Sequence, residues 1–219
     1  MNETLLRIIE NVDWITLILC CSILFVVLAK NFFNSRFTNF MILPFNNKYI
    51  FLYNKKDKLL HWFTVFFSIF QVINFALLIY LANEIFSTSS YTKSPYLFFI
   101  IISLLLLYYI LKVLAQLANA YLFNISEVIT EYLFKKISYL NYSSLVMFIA
   151  NILLTYVLKD SRAVVYASAF LILVINSIGW VIALRNYQKL ITNNFFYFIL
   201  YLCALEITPL VLIVDYFKD

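Results

Sequence analysis

The sequence predicts an all-α integral membrane protein, a bundle of about six transmembrane helices in one polytopic unit covering residues 1–219. Three observations carry that expectation. The chain is 64% hydrophobic and only 12% charged, with a mean hydropathy of +0.91, and soluble domains carry about twice that share of charge. Six apolar runs recur, at about 14–33, 60–81, 96–114, 145–158, 163–184 and 195–217. Most approach the ~20 residues that span a ~30 Å hydrocarbon core at ~1.5 Å per residue. The basic residues, finally, gather between the runs, as in cytoplasmic loops of membrane proteins. That placement makes the net charge of +5 a topological signal, and it argues against a nucleic-acid partner. The expected partners are the lipid bilayer and other membrane proteins.

The first thirteen residues hold Glu3, Glu10 and Asp13 against Arg7. A secretory leader needs a basic start and a small-residue cleavage site, so no cleavage is expected. Trp14 opens the first run as an interfacial anchor. The loop from Lys30 to Lys58 mixes six basic residues with eight Phe and Tyr. It reads either as a segment on an anionic membrane surface or as a loop packed on the protein. Cys20, Cys21 and Cys203 lie inside apolar runs without ligand spacing, and are read as small core residues.

The second run carries His61, Thr64, Ser68, Gln71 and Asn74 at steps of three and four. That spacing places them on one helical face, which should turn inward because lipid cannot satisfy polar groups. The face serves as hydrogen-bonding glue between helices or as part of a polar site. Pro95 suits the start of the third helix, and Lys112 near its end can snorkel to the interface. Residues 115–140 read as a helical cytoplasmic segment, with Glu131 and Lys135 in the favourable i, i+4 order on a solvated face. Asn151 and Thr155 stand one turn apart in the fourth run. Lys159–Arg162 is a short turn, making runs four and five antiparallel neighbours. The fifth run holds Asn176 and the chain's one glycine, Gly179.

The sixth run, FFYFILYLCALEITPLVLIVDYF, contains Glu206 eleven residues past Phe195, about 16 Å along a helix and so near the bilayer midplane. An ionised acid there costs roughly 2.5–3.5 kcal/mol on insertion scales, so such residues usually face a partner or a polar cavity. Three residues on, Pro209 cannot donate to the carbonyl of Leu205, which predicts a kink. Glu206 and Pro209, with Gln71, Asn74, Asn151 and Asn176 from other helices, form the candidate intramembrane polar site.

The stretch Phe196–Leu210, aromatics followed by Leu-Tyr-x-Cys and x-Leu-Glu-Ile-x-Pro-Leu, resembles the C-terminal signature of a family of uncharacterised multi-pass bacterial inner-membrane proteins. That family is a domain of unknown function from Gram-negative bacteria. Tyr121-Leu122-Phe123 adds a second echo. In the family the fourth hydrophobic segment often carries Gly and Pro; here residues 145–158 have neither, so no motif is carried over there. The resemblance implies a fold class and an inner-membrane address, without a reaction.

Counting Lys and Arg orients the chain. Eleven fall in loops one, three and five, and five in the tails and loops two and four. The positive-inside rule places the first set in the cytoplasm and both termini outside, hence in the periplasm.

No P-loop, GxGxxG, HExxH, nucleophile elbow or paired-cysteine motif occurs. No catalytic residue, cofactor or metal site is therefore assigned, and His61 beside Trp62 reads as an interfacial residue. Three functional readings stay open: a structural or accessory subunit of a membrane assembly, a small proton-coupled transporter using Glu206, and a lipid-linked membrane enzyme. No internal repeat relates residues 1–110 to 111–219, as an inverted-repeat transporter would show.

Overall fold

The structure is a computed structural model that describes residues 13–46, 48–53, 61–86, 95–122, 126–159 and 161–186. These fold into α1 (Asp13–Phe32), α2 (Asn34–Met41), α3 (Lys48–Tyr53), α4 (Trp62–Phe86), α5 (Pro95–Leu122), α6 (Ser126–Ile152) and α7 (Arg162–Asn186), with no strand among the described residues. Five helices, α1, α4, α5, α6 and α7, are long and apolar enough to cross a membrane. The sixth apolar run lies outside the described residues, and with it Cys203, Glu206 and Pro209.

Local chemistry sets the helix ends. His61 precedes α4, where its carbonyl accepts from the Val65 N–H and its Nδ1 accepts from the Phe63 N–H at 3.2 Å. The residue before the helix thereby satisfies an otherwise orphaned amide. Pro95, which has no N–H to lose, opens α5. At its far end α6 widens into a π-helical turn, Leu153–Val157, where the Leu158 N–H reaches the carbonyl five residues back at 2.7 Å. A tight reversal around Ser161 leads into α7.

Helix boundaries differ from the sequence reading. α5 runs on to Leu122, past the expected end at residue 114. Residues 126–157 form one continuous helical stretch where a cytoplasmic segment and a separate fourth span were expected. Lys135 is consequently not solvated: it is 2% exposed, with Glu131 as its electrostatic partner. The i, i+4 spacing identified the pair correctly but not its surroundings.

The two central helices are α4 and α6. They run parallel, since Ser68 meets Asn141 and Asn74 meets Asn151 further along both. α1 and α5 pack on α4, and α7 packs on α6. The apolar core falls into two layers. One gathers Leu19, Leu77, Tyr80, Phe98, Met147 and Leu154, with Trp14 packed edge-on against Tyr80 at 5.2 Å. The other joins the start of α4 to the loop helices through Phe40, Leu43, Tyr49, Phe63, Phe67 and Phe134. There Phe40 lies 4.5 Å from Phe67, and Tyr49 stacks on Phe134 at 5.8 Å. Aromatic pairs of this kind contribute ~0.5–1.5 kcal/mol each beyond the area they bury.

The described part of the first loop is therefore packed on the protein. Its outer face still presents Phe45 and Phe51, 90% and 85% exposed. Cys20 and Cys21 are also exposed on α1, which corrects their assignment to the core. Gly179 lies at a close contact between α6 and α7. A Cβ there would meet the Tyr139 ring at 2.6 Å, so α6 and α7 approach across a position that only glycine fits. With one glycine in the chain, a glycine-on-glycine contact between two helices of it is not available, and the structure sets that glycine against an aromatic ring.

Candidate functional site

The polar face of α4 is built from residues one turn apart and is answered by α6. At one level the Asn141 side-chain amide donates to Ser68 Oγ at 3.2 Å, with a longer approach of 3.4 Å to the Thr64 carbonyl. From α5, Tyr109 lies against Ser68. Two turns further on, the Asn151 amide donates to the Asn74 carbonyl at 3.0 Å, and Asn74 donates to the Phe70 carbonyl at 2.9 Å. Thr155 returns its hydroxyl to the Asn151 carbonyl at 2.7 Å, at the start of the π-helical turn. Asn74 and Asn151 are fully buried, and Asn151 is flanked on α6 and its π-helical turn by Met147, Ala150 and Leu154 of the first core layer.

The expected inward stripe divides on inspection. Thr64, Gln71, Asn74 and Asn151 are buried, whereas His61, Ser68 and Asn176 are half-buried. Asn74 and Asn151 are brought together. Gln71 is turned from that pair into a separate cavity beside α5. Asn176 spends its amide on its own helix, donating to the Ile172 carbonyl at 2.9 Å. The polar interior also includes residues that the sequence reading did not single out, among them Asn141 and Gln116, both 2% exposed. Gln116 lay just past the expected end of the third span. The missed signal is the apolar pattern, which continues through LAQLANAYL to Leu122.

The asparagine pair leaves one of its two side-chain acceptors unused: Asn74 Oδ1 takes the Asn151 amide at 3.4 Å. Asn151 Oδ1 is buried without a hydrogen-bond partner among the described residues. An acceptor left unpaired in a buried site loses hydration without replacement.

A family model described as a domain of unknown function, DUF4271, matches residues 15–217. The chain belongs to this family. The match runs from the start of α1 through the sixth apolar run, so every element of the candidate site lies within the family's domain. No curated protein and no solved structure matches the chain.

Outside the long helices, the loop helices hold a second polar group. The Arg36 guanidinium lies 4.3 Å over the Tyr53 ring and is 7% exposed. Burial lowers its pKa, against the opposing pull of Tyr49 and Tyr53. Burial likewise raises the Tyr49 pKa. His61 packs edge-on against Phe33 at 4.8 Å, and its pKa is lowered by burial and then by the Arg36 charge. Among the described residues no three His, Cys, Asp or Glu side chains converge as a metal site would require. Hydrogen bonding between helices is what the described seam can do.

Proposed function

We propose that the chain is a multi-pass inner-membrane protein that serves as a structural or accessory subunit of a membrane assembly. The observation that carries this reading is the neutral character of the α4–α6 seam. Its hydrogen bonds run from amides and hydroxyls to backbone carbonyls and to one another, and no carboxylate, histidine or lysine among the described residues takes part in these bonds. Hydrogen bonds of this kind hold helices together, averaging ~0.6 kcal/mol each in measured cases. The inner-membrane address follows from the resemblance of Phe196–Leu210, and periplasmic termini follow from the distribution of Lys and Arg.

Glu206 fits the same reading as a neutral acid. An ionised acid near the bilayer midplane is costly, which favours the protonated form in this reading. The test is complementation of a deletion strain combined with purification in mild detergent. Glu206→Gln keeps the size and a donor, so it should insert, complement, and co-purify with the same membrane partners as the wild type. A Glu206→Gln protein that accumulates normally yet fails to complement would instead identify Glu206 as the titrating group of a carrier. Fusions reporting cytoplasmic termini would reverse the orientation.

A further inference from the structure

A cavity of about 170 Å³ lies between α4, α5 and α6, apart from the asparagine pair. Its lining is mostly apolar, yet two buried amides reach it. Gln71 is 3% exposed and Gln116 2%. Neither Gln71 Oε1 nor Gln116 Nε2 has a hydrogen-bond partner among the described residues. One acceptor and one donor therefore line a space that nothing in the described fold fills. Lys112 also lines it and donates to the Tyr108 hydroxyl at 3.2 Å. An ammonium has three donors, so that bond leaves capacity for an anion. Lys136 contributes a second cationic side chain, its Nζ 5.9 Å from the Tyr132 and Trp180 rings.

The lining is graded along the helix axes. α4 and α6 run parallel and α5 runs back alongside both, so Gln71, Lys112, Gln116 and Lys136 fall toward one end. Phe75, Leu105 and Leu140 fall toward the other. Gln116 and Leu105 are eleven residues apart, about 16 Å on one helix. A cavity that is cationic and hydrogen-bonding at one end and apolar at the other matches an amphiphile lying along the helices. An empty apolar cavity of roughly 150 Å³ admits a benzene-sized guest, so this one holds several methylenes of an acyl chain but not a whole lipid.

We propose that this cavity is a binding site for one acyl chain bearing an acidic head group, the head against Lys112 and Gln116 and the chain directed toward Leu105. The shared chemistry is an acyl chain with an oxyanion, and both a free fatty acid and an anionic phospholipid supply it. The inference goes beyond the subunit reading and does not depend on it, because binding is measured on the purified full-length chain.

The experiment is native mass spectrometry of the delipidated protein with palmitate, phosphatidylglycerol or phosphatidylcholine added in turn. Thermal stability is followed in parallel to confirm folding. The expected result is a saturable adduct of one equivalent with palmitate or phosphatidylglycerol and none with phosphatidylcholine. Which anionic probe binds identifies the source. Lys112→Ala, which removes a charge from the cavity lining, should weaken the adduct roughly tenfold, the scale of one charge-assisted hydrogen bond. Ile137→Phe fills the cavity and should abolish the adduct; if that variant fails to fold, Gln116→Leu removes the orphaned donor and should weaken it. Equal retention of phosphatidylcholine, or an adduct unchanged by Lys112→Ala and by the folded cavity variant, would overturn the proposal.

Discussion

α4 and α5 are neighbours, both long enough to cross a membrane, and α5 is the more apolar of the two. Yet 56% of the α4 span is buried inside the protein and 6% of the α5 span. In water the more apolar helix would be expected at the centre. The reverse order here is what a lipid solvent produces, since acyl chains solvate Leu and Phe as well as a protein core does. Position is then decided by the polar groups lipid cannot satisfy. α4 carries Thr64, Ser68, Gln71 and Asn74 and is drawn inward. α5 exposes Phe99, Leu104, Leu107 and Leu111, and turns Tyr109 and Gln116 toward its neighbours.

The largest effect that would sharpen this contrast comes from matched truncations. Phe70 on α4 is fully buried against Phe67 and Phe148; Phe99 on α5 is 61% exposed. Phe70→Ala should cost about 3 kcal/mol or more through the void it leaves, because packing contacts are lost whatever the outer solvent. Phe99→Ala should stay within about 0.5 kcal/mol. Comparable losses in a reversible unfolding assay in detergent would show that α5 is buried after all.

Next in size is the α6–α7 crossing. Gly179→Ala would favour the helix intrinsically by about 1 kcal/mol, but its methyl overlaps the root of the Tyr139 ring. That part of the ring cannot swing away, so overpacking should prevail, with a net loss of ~1–3 kcal/mol. Gly179→Ala combined with Tyr139→Ala should recover part of the loss, and a double-mutant cycle measures how much. Two additive substitutions would separate the positions.

The seam itself should yield less. Asn151→Leu removes the donor to the Asn74 carbonyl but also removes the unpartnered Oδ1. Deleting a bonded group and an orphan together nearly cancels, so a loss near 1 kcal/mol is expected. A loss above about 3 kcal/mol would mean that Oδ1 is bonded by something outside the described residues.

These contrasts mark how far the sequence could be read. The polar face of α4 was legible because its spacing is local, and so were the all-helical fold and the α6–α7 reversal at Lys159–Arg162. The burial of Lys135 was not, because its spacing to Glu131 is the same on a solvated helix as in a packed one. Asn141 fell between two expected segments that form one helix, and Gln116 lay past an expected boundary. The Tyr139 partner of Gly179 is forty residues away in sequence and no local pattern announces it. Of the candidate site, the Asn74–Asn151 pairing was implied only as shared inwardness; which amide bonds to which carbonyl depends on helix register.

The smallest effect tests the end of α4 where it leaves the apolar interior. His61 accepts from the Phe63 N–H through Nδ1, and a protonated imidazole has no acceptor to offer. Burial and the nearby Arg36 charge both lower its pKa below the ordinary 6.5. The folded state therefore binds the proton less readily than the unfolded chain. Stability from this site is fully present above about pH 6.5 and is lost as pH falls toward the folded pKa. A shallow drop in thermal midpoint over that window is expected in the wild type. His61→Asn keeps a side-chain acceptor at the helix start but does not titrate there, so its profile should be flatter across the same window while its midpoint near neutral pH is nearly unchanged. A wild-type profile identical to that of His61→Asn would show that the imidazole is not what fastens the start of α4, and would leave the capping carbonyl and the Phe33 contact to hold it.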